Sequence, residues 1–246
     1  MQGYRVGERV VGNPVAGAYA EYIAVEPAYV RKIPDGVSFL EAAGARVMFL
    51  VAWFGLRQEA GVKPGDTVLV HSGGSVLGAG AIQVAKHAGA RVFATCGSDE
   101  KCRKAKEIGA DEAINYTTQD FLAEVRRLTD GRGVDVVWEP LGADIYVKSL
   151  GILAPGGVLL SVGRAAGPVP EPAPEPPPGR RIAGFTLYTV MPPHGNGLDE
   201  LVKVLELVQQ KQFQVVIDKV FPLSQAKEAH RYVEDRKNFG KVMLVP

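Results

Sequence analysis

Two adjacent glycines, Gly73 and Gly74, stand in the run VLVHSGGSVLGAGAIQVAK, between an apolar stretch with strand character and one with helical spacing. A dinucleotide needs its pyrophosphate beside backbone N–H groups at a helix N-terminus, where the helix dipole favours negative charge and no side chain blocks the approach. The strand TVLVH, the turn SGGSVLG and the helix AGAIQVAK put Ser75, Val76, Leu77 and Gly78 at that position, so the stretch reads as a dinucleotide cradle. Val76 stands where such a turn usually keeps a further glycine. With negative φ at Val76 the cradle survives, whereas a positive φ would strain a β-branched residue badly. The expectation is binding that is retained but weakened, and tightened by Val76→Gly.

The second strand would end in TCGSDEK. An NAD site carries an acid there for the ribose hydroxyls. Cys96, Gly97 and Ser98 occupy that place and Lys101 follows within reach of a 2′-phosphate, which favours NADPH. Asp99 works the other way, since it would repel a phosphate or bind a hydroxyl. Ser98 also suits a helix N-cap, and Lys101 a solvated helix face. No nucleophile or proton-transfer set is visible, and no catalytic residue is assigned. GGSVL lacks the second glycine of a nucleophile elbow, and Cys96 reads as a strand-end thiol. Hydride transfer needs little beyond the cofactor, a positioned acceptor and a dry pocket. With two cysteines and four scattered histidines, His71, His87, His194 and His230, no metal site is expected.

The elements that must hold these residues alternate from Asp66 to Gly163. TVLVH, RVFATC, EAINY, VDVVWE and GVLLSVG are short apolar runs, separated by helical segments that open after Ser98 and close at Gly89 and Gly109. This is the rhythm of a doubly wound parallel α/β sheet. Residues 1–38 carry β-like pieces punctuated by glycine and proline. The last stretch reads as a strand, a helix opened by Ser224 and the strand KVMLV, able to complete the same small β domain. Seven prolines between residues 168 and 178 forbid helix or central strand and read as an exposed loop.

At 246 residues and 46% hydrophobic the chain can bury a substantial core. Its 28 Lys and Arg balance 27 Asp and Glu, so the net charge of +1 offers no field for nucleic acid or an anionic membrane. No apolar run is read as long enough to span a bilayer and the N-terminus lacks a signal-peptide core, which makes the cytoplasm the default.

The stretches GYRVGERVVG, GAYAEYIAV, IPDGVSFLEAA, AGVKPGDTVLVHSGG, AIQVAKHAGARVFATCGSDEKC, IGADEAINY, LTDGRGVDVV, LAPGGVLLSVG and AHRYVEDRKNFGKVMLVP run in this order from Gly3 to Pro246. Together they resemble the zinc-independent medium-chain dehydrogenase/reductases of the quinone oxidoreductase (zeta-crystallin-like) group. The resemblance implies a Rossmann domain over residues 39–212 and a partial GroES-like β domain from residues 1–38 and 213–246, shorter at its start than in the family. It implies NADPH held by the backbone of Ser75, Val76, Leu77 and Gly78, by Ser98 and Lys101 at the 2′-phosphate, by Tyr116 near the adenine ribose, by Val162 and Gly163 on the nicotinamide side, and by Asn238. Hydride would pass to a quinone or an α,β-unsaturated carbonyl without metal, in a homodimer paired through the cofactor domain. The chain departs from the family at Val51, in place of a threonine, at Val76, and at EPLG, Glu139 to Gly142, where D-x-V-G is usual. The alternative reading is an NADPH-binding protein with little or no reductase activity, because the start of the β domain normally supplies one cleft wall.

Overall fold

The computed structural model describes residues 3–14, 16–184 and 197–246. Its centre is a six-stranded parallel sheet of β3 (Thr67–Val70), β4 (Arg91–Cys96), β5 (Glu112–Asn115), β6 (Val134–Glu139), β7 (Leu153–Ser161) and β8 (Arg181–Gly184), in the order β5-β4-β3-β6-β7-β8. The chain winds outward from β3 to β5, then returns to the other side of β3 to lay down β6, β7 and β8. The crevice outside the carboxyl ends of β3 and β6 is therefore the topological switch point, where open α/β sheets bind ligands.

Alternation along each strand feeds two cores, because successive side chains leave opposite faces of a strand. Val68, Val70, Val92, Ala94, Val136 and Trp138 point to one face, where they join α1 (Phe39–Ala52), α2 (Val76–His87) and α6 (Leu198–Gln209). Leu69, Phe93, Val137 and Leu159 point to the other face, against Phe121 and Val125 of α4 (Phe121–Leu128) and Tyr146 and Leu150 of α5 (Ala143–Leu150). All four of those strand residues are fully buried. Each such side chain contributes about 1.5–3 kcal/mol relative to exposure, so both faces of the sheet are needed.

Local signals fix the helix ends. Ser38 and Glu41 form a reciprocal capping box at the start of α1. Ser98 caps α3 (Asp99–Glu107), and Gly89 and Gly109 take the positive φ that follows α2 and α3. In α2, a Cβ at Gly80 would run into the Met48 carbonyl. That glycine lets α1 and α2 pack almost backbone to backbone, which fixes the angle at which α2 presents its N-terminus to the crevice.

The structure departs from the sequence reading in four places. A sixth strand, β8, follows the proline run and pairs with β7. The run itself forms neither helix nor strand and is exposed or half-buried. The two ends form separate sheets: β1 (Val10–Gly12) pairs antiparallel with β2 (Val30–Lys32), while β9 (Ile217–Pro222) pairs parallel with β10 (Lys241–Val245). The two ends meet at the Tyr19 hydroxyl, 3.4 Å from Nε2 of His230. Ser224 lies in a short 3₁₀ turn, and α7 (Ala226–Glu234) has Gln225 at its N-cap with no side-chain cap bond. Finally, α1 runs on into a π-helix over Trp53–Glu59, and this 21-residue helical run, with mean hydropathy 1.5, has the length and composition of a membrane span. Half of it, 56% by the most apolar window, is buried inside the fold, where it packs against α2 and α6.

Candidate cofactor crevice

The turn after β3 is built so that the glycines give room and a serine takes the unusual backbone. Ser72 has a φ of 57°, while Gly73 and Gly74 keep negative φ. Gly73 is needed for space: a Cβ there would sit 3.0 Å from the Ala94 methyl and 3.2 Å from Cys96 Sγ. A Cβ at Gly78 would collide with the Ser72 carbonyl. The Ser72 carbonyl accepts from Ser75 N–H at 2.8 Å, which closes the turn.

Ser75 is the N-cap of α2, and its Oγ accepts from Gly78 N–H at 3.0 Å. Val76 is the first helical residue, in ordinary helical backbone, and its half-buried side chain packs with Leu77 against the core. The strain that a positive φ would bring is therefore absent. Helix geometry leaves the Val76 and Leu77 amides without an intrahelical acceptor. Two free N–H groups at a helix N-terminus beside the switch point suit a pyrophosphate.

The carboxyl end of β4 lies alongside. Ser98 Oγ accepts from Lys101 N–H at 3.2 Å, which orients the first turn of α3. Lys101 reaches back over the dinucleotide turn, with its Cδ 3.2 Å from where a Gly74 Cβ would stand. Its Nζ donates to the Arg236 carbonyl at 2.6 Å. Burial lowers the Lys101 pKa from its ordinary value. Asp99, a possible opponent of a phosphate, instead accepts from Asn115 Nδ2 at 2.7 Å. Tyr116 follows β5, and its hydroxyl hangs over Gly97, 2.6 Å from where a Cβ would be.

The loop before β10 closes this side. Asn238 Nδ2 donates to the Gly240 carbonyl at 2.8 Å, and Gly240 N–H donates to the Gly74 carbonyl at 2.9 Å. Phe239 packs on Gly74, 3.2 Å from its absent Cβ. Thus Ser75 to Gly78, Ser98, Lys101, Tyr116 and Asn238 gather around one crevice end. Phe239 was missed by the sequence reading, although an aromatic between Asn238 and Gly240 in KNFGK was its visible signal.

Val162 and Gly163 lie apart from that group, just beyond β7 on the far side of the switch point. Val162 N–H donates to the Glu139 carbonyl at 2.9 Å, and a Cβ on Gly163 would stand 2.9 Å from the Pro140 carbonyl. The Glu139 side chain is fully buried. Its carboxylate accepts from Leu141 N–H at 2.7 Å and from Gly142 N–H at 3.0 and 3.1 Å. Burial raises its pKa, and the two amides act against that rise. The sequence reading noted EPLG only as a departure and gave Glu139 no role.

Beneath the crevice lies a fixed polar chain. Ser149 Oγ donates to the Ile145 carbonyl at 2.7 Å, so at 2.9 Å it must accept from His71 Nε2–H. His71 Nδ1 then accepts from Thr95 Oγ1 at 3.0 Å. The ring is fully enclosed and burial pushes its pKa down to about 3, so it is a neutral Nε2–H tautomer. Cys96 is also buried, and burial next to Cys102 pushes its thiol up to about 12. Neither residue is an acid, base or nucleophile at neutral pH; both are parts of the wall. Among the described residues no three His, Cys, Asp or Glu side chains converge on a metal position, and His194 lies outside those residues.

Comparison with known proteins agrees with this architecture. Residues 108–244 match the family model described as zinc-binding dehydrogenase. A 2-haloacrylate reductase of Burkholderia sp is 34% identical over 99% of this chain and 75% of its own length. A quinone oxidoreductase of Pseudomonas aeruginosa is 31% identical over 99% of this chain and 76% of its own. Among solved structures, an Escherichia coli quinone oxidoreductase complexed with NADPH superposes with a TM-score of 0.88 at 27% identity, covering 100% of this chain and 77% of that one. The chain thus spans about three quarters of the length of these relatives. The reversed strand order, the capped helix N-terminus at the switch point and these matches together make the chain an oxidoreductase that belongs to the quinone oxidoreductase group of the medium-chain dehydrogenase/reductase family.

Proposed function

We propose that the chain is an NADPH-dependent reductase that passes hydride to a quinone or an α,β-unsaturated carbonyl without metal assistance. The observation that carries this reading is the N-terminus of α2, where the Val76 and Leu77 amides open onto the switch point with Ser98 and Lys101 one strand away. Two of the relatives are named for reducing a quinone and a haloacrylate, and a haloacrylate is itself an α,β-unsaturated acid.

When bound, NADPH supplies the hydride. The helix α2 amides hold the pyrophosphate, and Ser98 and Lys101 receive the 2′-phosphate through charge-assisted hydrogen bonds. Tyr116 borders the adenine ribose, and Asn238 sets the loop whose Phe239 seals the turn. Val162 and Gly163 form the wall on the nicotinamide side, and their lack of polar side-chain atoms keeps water from the reacting carbon. No side chain of this set delivers a proton, so the acceptor takes its proton from solvent.

The second reading, a cofactor-binding protein with little turnover, is favoured by one observation: residues 16–25 are almost all exposed, with Tyr22 90% accessible, so this segment builds no cleft wall over the crevice. Purified protein incubated with NADPH and a panel of quinones and enones separates the two, with cofactor oxidation read by absorbance. Turnover supports the reductase, binding without turnover supports the second reading, and absence of binding defeats both. We further read the protein as a cytoplasmic homodimer without nucleic-acid or membrane partners. Its near-zero charge supports the missing polyanion contacts, and sedimentation measures the assembly.

A further inference from the structure

Glu139 is a fully buried acid that the proposed chemistry does not use, and its surroundings specify its state. All three bonds its carboxylate makes come from donors, the Leu141 and Gly142 amides. Those amides lie at the N-terminal edge of α5, where the helix dipole favours a negative charge. These donors therefore favour the carboxylate, while burial acts the other way and raises its pKa. The other ionisable groups near this corner are Tyr146 on α5 and Arg164 beyond β7; the Tyr146 hydroxyl is pushed up by burial and by the Glu139 charge, with Arg164 opposing.

The same residue is joined to the crevice wall. Its carbonyl receives Val162 N–H, the next residue's carbonyl faces Gly163 and accepts from Ala165 N–H at 3.0 Å, and the Leu141 carbonyl accepts from Ala166 N–H at 2.8 Å. The turn that Glu139 organises is thus the backing of the segment from Val162 to Ala166. Resting on the NADPH reading above, we propose that Glu139 is a positioning residue that also places a buried negative charge behind the nicotinamide wall, stabilising the oxidised, cationic cofactor over the reduced one. Loss of hydride carries away both electrons of a C–H bond and leaves the ring with one positive charge, while the acceptor gains the hydride and then a proton from water. A fixed carboxylate lowers the cost of that charge in a low-dielectric crevice and needs no reorganisation as the hydride leaves.

The test is binding, not turnover. Wild-type protein, Glu139→Gln and Glu139→Asp are each titrated calorimetrically with NADPH and, separately, with NADP⁺. Gln keeps an acceptor for the two amides and removes the charge. The expected result is that Glu139→Gln raises the ratio of the NADP⁺ to the NADPH dissociation constant by about tenfold, with the NADPH constant itself within about threefold, while Glu139→Asp holds the wild-type ratio. Equal weakening of both cofactors in Glu139→Gln, or no change in either, overturns the inference and leaves the NADPH reading standing. Wild-type protein that binds neither cofactor overturns both. If Glu139→Gln does not fold, Glu139→Asn compared with Glu139→Asp supplies the same contrast of charge at constant size.

Discussion

Lys101 donates from Nζ to the carbonyl oxygen of Arg236 at 2.6 Å, tying the first turn of α3 to the loop that precedes β10. The ammonium proposed to receive the 2′-phosphate therefore already has a partner in the loop that closes this side of the crevice. Arg236 carries a φ of 54°, a backbone conformation that non-glycine residues adopt at some cost. A phosphate entering here must share the ammonium with that carbonyl or take it over, which links cofactor binding to the position of the 235–240 loop.

Lys101→Ala is expected to weaken NADPH about tenfold, the worth of one charge-assisted hydrogen bond. NADH, which lacks the phosphate, is expected to bind the variant and the wild type alike. Fluorescence titration of both cofactors checks this. Equal losses for the two would assign Lys101 a purely structural role through Arg236.

Val76→Gly separates the sequence expectation from the structural one. Tightening was expected if the valine crowded the phosphates. Its side chain packs on the core from ordinary helical backbone, so the glycine variant is expected to lose about 1 kcal/mol of stability, mostly as lost side-chain burial with a few tenths from helix propensity. NADPH affinity should move by less than about twofold. A denaturant melt and a binding titration on the same sample read both quantities.

His71 makes stability fall in acid. Its folded pKa, about 3, lies below the ordinary value of 6.5, so the native state binds fewer protons than the unfolded chain throughout that window. Above 6.5 the residue costs nothing. Below it, stability drops by up to about 1.4 kcal/mol per pH unit until the folded pKa is reached. Urea melts of the wild type and His71→Asn across this range should show a difference in stability that narrows with falling pH. Parallel lines would refute it.

The two thiols should be told apart by alkylation. Cys96 is buried with its pKa pushed up to about 12, so at mildly alkaline pH it offers almost no thiolate. Cys102 is half-buried and raised less, and iodoacetamide should label it first. Peptide mass spectrometry of a time course reads the order, and prior labelling of Cys96 would contradict the burial described.

Much of the α/β domain was legible in the sequence because its signals are local. Arg91–Cys96 and Val134–Glu139 are strands with the bounds their apolar runs suggested. Ser98 caps its helix as its type and place implied. β8 was not legible: RIAG is short, follows a run of prolines and becomes a strand only through pairing with β7. Nor was the left-handed Ser72, because serine as a residue type does not mark that backbone conformation. Near the crevice, the Ser75 cap of α2 was readable, because the cap residue and the helix it starts are adjacent in sequence. The Lys101 bond to Arg236 and the wall built on Glu139 depend on partners far along the chain or on burial, which spacing does not encode.

The hydrogen bond from Gly240 to Gly74 has a meaning in time as well as in space. A ribosome delivers residue 74 long before residue 240. While the chain is being made, β3, its turn and α2 can form from nearby residues, but the turn lacks the covering that Phe239 and Gly240 provide. The nascent α/β core therefore matures with an open crevice, and that side is sealed only once Phe239 and Gly240 have emerged.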